Sequence, residues 1–260
     1  MKVLAIDTSN QPLLVALAED GQILSSVQTN KPKNHSVDLL PAVKDLLAKE
    51  GWTLQDLDQI AIAKGPGSFT GLRIGVTVGK VLADTLNKPL LAISSLQALA
   101  RQVQLANWSV KKADTNLAEG TPFVHKKKDS LVLALFDARN DNVFAGAYLG
   151  NETVLEDGHY PIDEVLDLVA QVGESLIVVG DGMHFEEAIK EELSRLSPII
   201  LTEDESLPDG TGLVDLAKTT KPVEDVANLT PSYLRKTQAE LNWEKNQAGK
   251  PLDKPYVFEV

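Results

Sequence analysis

Cysteine is missing from all 260 residues. Its absence excludes disulfides, zinc–thiolate sites, iron–sulfur clusters and a thiol nucleophile. Long apolar runs are missing as well. The opening Met1-Lys2-Val3-Leu4-Ala5-Ile6 is stopped by Asp7, too soon for a signal peptide, and no later stretch reaches membrane-spanning length. A soluble cytoplasmic protein with no membrane partner is expected. Positive charge is in short supply: 25 basic residues stand against 37 acidic ones, a net of −12. Nucleic acid is therefore repelled over most of the surface. One basic cluster, Lys126-Lys127-Lys128, lies in a polar segment and reads as a solvated loop. What is plentiful is apolar residues, 43% of the chain, enough for a sizeable core in one large domain or two small ones.

The densest local signal is Lys64-Gly65-Pro66-Gly67-Ser68-Phe69-Thr70-Gly71-Leu72-Arg73-Ile74-Gly75. A buried-type strand, residues 59–63, runs into Gly-Pro-Gly, and Thr70 is placed to cap a helix from Gly71 to about Leu86. A glycine-rich turn feeding a helix N-terminus favours anions, because free N–H groups and the helix dipole point at them. The two common phosphate motifs are nevertheless absent. Gly65-x-Gly67 is followed by Gly71, one residue too late for the dinucleotide fingerprint. Gly75 and Gly79 have three residues between them, and Lys80 is followed by valine, which fails the P-loop pattern. Within the helix Gly71, Gly75, Gly79 and Ala83 recur every four residues and share one face. Glycine inside a helix costs about 1 kcal/mol relative to alanine. Such a stripe implies close backbone approach by a neighbouring element.

Apolar periodicity predicts strands at 2–8, 13–18 and 23–29, a helix over 35–50 containing Pro41, then strand 60–63, helix 70–86, strand 90–93 and a helix capped by Ser94 or Ser95 that reaches about Gln104. The polar stretch 107–129 reads as a linker or surface excursion. Beyond it the pattern repeats in shorter form: a strand pair (131–136, 143–149), helix 162–172, strand 176–179, helix 185–196, strand 199–201 and helix 212–218. Two halves of one α/β design are expected: residues 1–105, residues 106–222 in a reduced copy, and a tail over 223–260 that packs back on the body.

Four segments together resemble the TsaB (YeaZ) family: Ala5-Ile6-Asp7-Thr8-Ser9, His35-Ser36 ahead of Leu39-Leu40-Pro41, the block Gly65–Gly75, and Pro231-x-Tyr233-Leu234-Arg235. The resemblance covers the first hundred residues and the tail, and does not extend to 107–129. It implies an actin-like ATPase (ASKHA) fold of two ribonuclease-H-like halves. It also implies a dimerisation subunit of the bacterial tRNA threonylcarbamoyladenosine machinery that has no active site of its own. The implied partners are the catalytic paralogue TsaD and the ATPase TsaE, with a homodimer when the chain is alone and tRNA held mainly through the partners. ATP and metal are then expected on those partners and no cofactor on this chain.

The residues bear on that implication. The catalytic paralogue holds a metal with a His-x-x-x-His pair on a helix, where one turn aligns two imidazoles. Here His35 is followed four residues later by Leu39, so no such metal site is expected; His125, His159 and His184 form no spaced pair. Asp7-Thr8-Ser9 falls where actin-like ATPases hold a phosphate turn and reads either as a vestigial nucleotide site or as a strand-ending aspartate bonded to its own turn. Gly180-Asp181-Gly182 resembles an adenosine-contacting turn and also fits a plain one. A partner interface is expected on the two helices, from His35, Leu39, Val43 and Leu46 on the first and Gly71, Arg73, Gly75, Gly79 and Ala83 on the second, with packing on the chain's own sheet as the competing use of the same residues. The alternative function is a stand-alone enzyme of actin-like fold, a small-molecule kinase or a peptidase. No Gly-x-Ser-x-Gly nucleophile elbow occurs.

Overall fold

The computed structural model describes residues 1–29, 35–106, 130–172 and 175–235. The first half opens with an antiparallel meander, β1 (Lys2–Asp7), β2 (Leu13–Glu19) and β3 (Gln22–Thr29), followed by α1 (His35–Glu50), β4 (Gln59–Gly65), α2 (Phe69–Leu86), β5 (Leu90–Ser94) and α3 (Ser95–Leu105). The second half repeats the meander with β6 (Leu131–Asp137), β7 (Asn142–Leu149) and β8 (Glu152–Pro161). It continues through α4 (Ile162–Ala170), β9 (Leu176–Gly180), α5 (Glu186–Glu192), β10 (Ile199–Ile200) and α6 (Thr211–Ala217). The sheet orders are β3-β2-β1-β4-β5 and β8-β7-β6-β9-β10. In each, the meander is antiparallel and the last two strands join the first in parallel. One design is therefore built twice, and the second copy keeps all five strands on shorter helices.

Strands β1 and β6 are buried almost end to end, which is why they read as continuous apolar runs. One face of the first sheet packs under α1 and α2 through Leu4, Ile6, Ile60 and Ile62. Its other face, lined with Ala5, Ala16 and Ala61, receives α6 through Leu213, Val214 and Ala217. Helix α3 turns Ala98 to that layer and Leu99 and Val103 to the second sheet, whose far face is covered by α4 and α5. The layers thus run α1/α2, sheet, α3/α6, sheet, α4/α5.

Three expectations change. The repeat has three meander strands, not two: β8 carries an exposed, charged sequence without clean alternation, so it gives no apolar signal. The α2 cap is Ser68, whose hydroxyl accepts from Gly71 N at 3.3 Å, not Thr70. Helix α6 follows the second half in sequence yet packs on the first sheet. Of the alternatives at α3, Ser94 is the cap, accepting from Gln97 N at 3.1 Å.

Candidate functional site

The turn after β1 and the N-terminus of α2 form one locked unit. Asp7 Oδ1 accepts from Ser9 N at 2.8 Å and from Ser9 Oγ at 2.6 Å, the bond pattern of an aspartate closing its own turn. Thr8 Oγ1 donates to Gly71 O at 2.7 Å, and Ser68 N donates to Ser9 O at 2.6 Å. The amide of the α2 cap residue is thus met by a carbonyl of the chain itself. A side chain at Gly71 would collide with Thr8 O, and Gly65, at φ +119°, lies against Ser232 O with no room for a β-carbon. Burial pushes the Asp7 carboxyl up, against the two Ser9 bonds and the nearby His35 that lower it. Of the two readings of Asp7-Thr8-Ser9, this bonding is that of the aspartate tied to its own turn.

The small-residue stripe has the same explanation. Gly71 and Gly75 lie on Thr8, Gly79 lies on Ile62, and Ala83 is in the core under α1 and α2. Likewise His35, Leu39, Val43 and Leu46 are buried, at 8%, 1%, 3% and 6% exposure. These eight residues are buried within the chain, the competing use of the same positions, so the close approach that the stripe implied is met within the chain; Val43 also borders the apolar groove on the outer side of α1. The outward faces carry different apolar residues, Val37 (67% exposed) and Leu40 (52%) on α1 and Val81 (57%) on α2. Beside them an apolar groove of about 300 Å³ is lined by Leu40, Leu47, Trp52, Leu54 and Leu82, with Lys44 at its edge. The sequence signal was there: Val37, Leu40, Lys44 and Ala48 are a second helical stripe on α1.

Arg73 is exposed but partnered. Its guanidinium lies 4.2 Å from the centroid of Phe69 and its Nε donates to Tyr233 Oη at 3.0 Å, while Phe69 and Tyr233 stack at 4.7 Å. Over its described part, residues 223–235, the tail is hydrogen-bonded to the body. Ser232 N donates to Lys64 O at 2.8 Å, Lys80 Nζ donates to Ala227 O and Leu229 O, and Arg235 Nη1 reaches Ala138 O in the second half at 2.7 Å.

His35 Nε2 has no hydrogen-bond partner, and burial pushes its imidazole pKa down against the pull of Asp7 and Asp38. His159 stacks on Phe144 and His184 meets the edge of Phe185. His125 and Lys126-Lys127-Lys128 lie outside the described residues. In the Gly180-Asp181-Gly182 turn, Asp181 Oδ2 accepts from Asp137 N at 2.8 Å and Gly180 N donates to Ser206 Oγ at 3.1 Å. A cavity of about 310 Å³ opens between the halves, bordered by Asp7, Ser95, Gln102, Phe136, Asp181 and Glu203.

Fold and site together define a class: an actin-like α/β protein of two ribonuclease-H-like halves, with its β1 turn bonded to its own α2 and an apolar two-helix face turned to solvent. Comparison with known proteins narrows that class. A family model described as "TsaD: tRNA N6-adenosine threonylcarbamoyltransferase" matches residues 22–239. The Bacillus subtilis "tRNA threonylcarbamoyladenosine biosynthesis protein TsaB" is 34% identical over 251 residues, covering 95% of this chain and all of the relative. The protein of that name from Buchnera aphidicola subsp. Schizaphis graminum is 31% identical over 185 residues, 69% of this chain and 78% of its own. Among solved structures, "YeaZ from Pseudomonas aeruginosa" superposes with a TM-score of 0.65 at 29% identity, covering 90% of this chain and 99% of that one. The chain belongs to the TsaB family.

Proposed function

We propose that this chain serves tRNA threonylcarbamoyladenosine biosynthesis as a non-catalytic pairing subunit. It pairs with the catalytic paralogue TsaD through the outward faces of α1 and α2, and with TsaE in the assembled complex. The observation that carries the reading is the solvent-facing stripe Val37, Leu40 and Val81 flanking the apolar groove. A contiguous apolar face on a soluble protein marks an interaction surface. Family membership supports the pathway. The same face serves a homodimer when the chain is alone. The net charge of −12 favours a complex in which tRNA is held mainly by the partners, and ATP and metal belong to those partners. The β1 turn supports a non-catalytic role: Thr8 Oγ1 is committed to Gly71 O, and the amide of Ser68, the α2 cap, is committed to Ser9 O.

The test mixes the purified chain with TsaD from the same genome and measures mass by light scattering. Wild type forms a mixed complex. Leu40→Asp and Val81→Asp, at exposed positions, keep the circular dichroism spectrum and lose the complex. A complex that survives both substitutions moves the interface elsewhere. No complex with wild type removes the pairing reading.

A further inference from the structure

The cavity between the halves has a one-sided lining. Asp7 stands at the end of β1 on one side; Asp181 after β9 and Glu203 beyond β10 stand on the other. Among the described residues, no lysine, arginine or histidine borders it. A phosphate entering here meets three carboxylates and no compensating charge. A bare metal ion does not match either, since no group of three His, Asp or Glu side chains among the described residues is gathered closely enough to hold one. The carboxylates come from both halves, and apolar side chains of Leu14, Leu99, Phe136 and Leu213 share the lining with polar ones such as Gln102 and Ser206. The volume of about 310 Å³ is at the lower end of the range for small-molecule sites.

Ser95 provides an independent observation. It lines the cavity, is 2% exposed, and its Oγ has no hydrogen-bond partner. An unpaired buried hydroxyl is costly, so its presence at a cavity wall points to a ligand that completes it. Among the described residues, both aspartates also keep one oxygen without a hydrogen bond: the Ser9 bonds fall on Oδ1 of Asp7, and the Asp137 bond falls on Oδ2 of Asp181.

We propose that the cleft between the halves binds an aliphatic polyamine, its ammonium groups taken by Asp7, Asp181 and Glu203, one of their N–H groups donated to Ser95 Oγ, and its methylene stem laid on the apolar wall. Burial pushes the Asp7 and Asp181 carboxyls up, and a bound cation offsets that cost. An extended di- or triamine supplies separated point charges on an apolar stem, the combination that carboxylates and apolar side chains in one lining call for. This site is independent of the α1–α2 pairing face.

The probe is spermidine, titrated calorimetrically into the full chain at neutral pH and low salt. Four proteins are compared: wild type, Glu203→Gln, Ser95→Ala and Glu187→Gln, the last a control on the exposed side of α5. Saturable one-site binding is expected in wild type and in the control. Losing one charged partner weakens it about tenfold in Glu203→Gln, with a smaller loss in Ser95→Ala. Thermal unfolding of each variant without spermidine confirms that the fold is kept. Non-saturating heats overturn the proposal. So does equal weakening by Glu187→Gln, which would make spermidine a general counterion to an acidic protein. Magnesium–ATP that displaces spermidine and binds more tightly also overturns it, since the cleft would then be a nucleotide site.

Discussion

A single methyl group decides whether α2 can reach the sheet. Gly71 faces Thr8 O with no space for a β-carbon. Gly71→Ala is therefore expected to destabilise the chain by about 1–3 kcal/mol through overpacking, read from the urea midpoint at unchanged slope. An unchanged midpoint would mean that the turn after β1 moves aside freely. Gly75→Leu strikes the same turn through Thr8 and is unsuited to probing a partner surface. Where the stripe of small residues leads was not readable from spacing alone. Periodicity shows that four residues share a face, and only packing shows what that face meets.

At the scale of an element, α1 has two apolar stripes with opposite duties. Leu39 is 1% exposed and belongs to the core, while its neighbour Leu40 is 52% exposed. Leu39→Ala should cost about 2–5 kcal/mol by opening a cavity, and Leu40→Ala should change stability by no more than about 0.5 kcal/mol. Chemical denaturation of the pair separates them, and equal effects would contradict the orientation of α1. The helix was legible to the residue, since its apolar positions and Glu50–Gly51 ending mark it. Its inward face was not, because both stripes are apolar and the tie is broken by the sheet beneath. Strand β8 was illegible for the opposite reason: it is half-exposed and charged, and it is held by pairing with β7.

Across the whole molecule, the halves meet at a polar junction as well as an apolar one. Asp157, aimed inward from an irregular stretch of β8, accepts hydrogen bonds from Ser94 of the first half and Tyr148 of the second. Burial pushes its carboxyl up, opposed by the Ser94 and Tyr148 bonds and by Lys64, and helped by Glu156. Asp7 and Asp181 are raised too. A carboxyl with a raised folded-state pKa holds more protons folded than unfolded, so stability falls as pH rises from about 4 through the folded value. The chain should be more stable near pH 5 than above neutrality by thermal unfolding, and Asp157→Asn should flatten that dependence. A pH profile with equal slope in wild type and variant would exclude Asp157 as a source.

The sequence by itself determined the order of elements, the duplicated plan, the special turn at Gly65–Gly75 and the family, because these rest on local propensity, on period and on residue identity at short spacing. Tertiary structure alone decided which face of α1 and α2 looks inward, that α6 returns to the first sheet, that Arg73 is held by the tail, and that Asp7, Asp181 and Glu203 border one cavity. Those outcomes join residues up to about two hundred positions apart. They follow from how two sheets and six helices divide the available apolar surface, which no local pattern specifies.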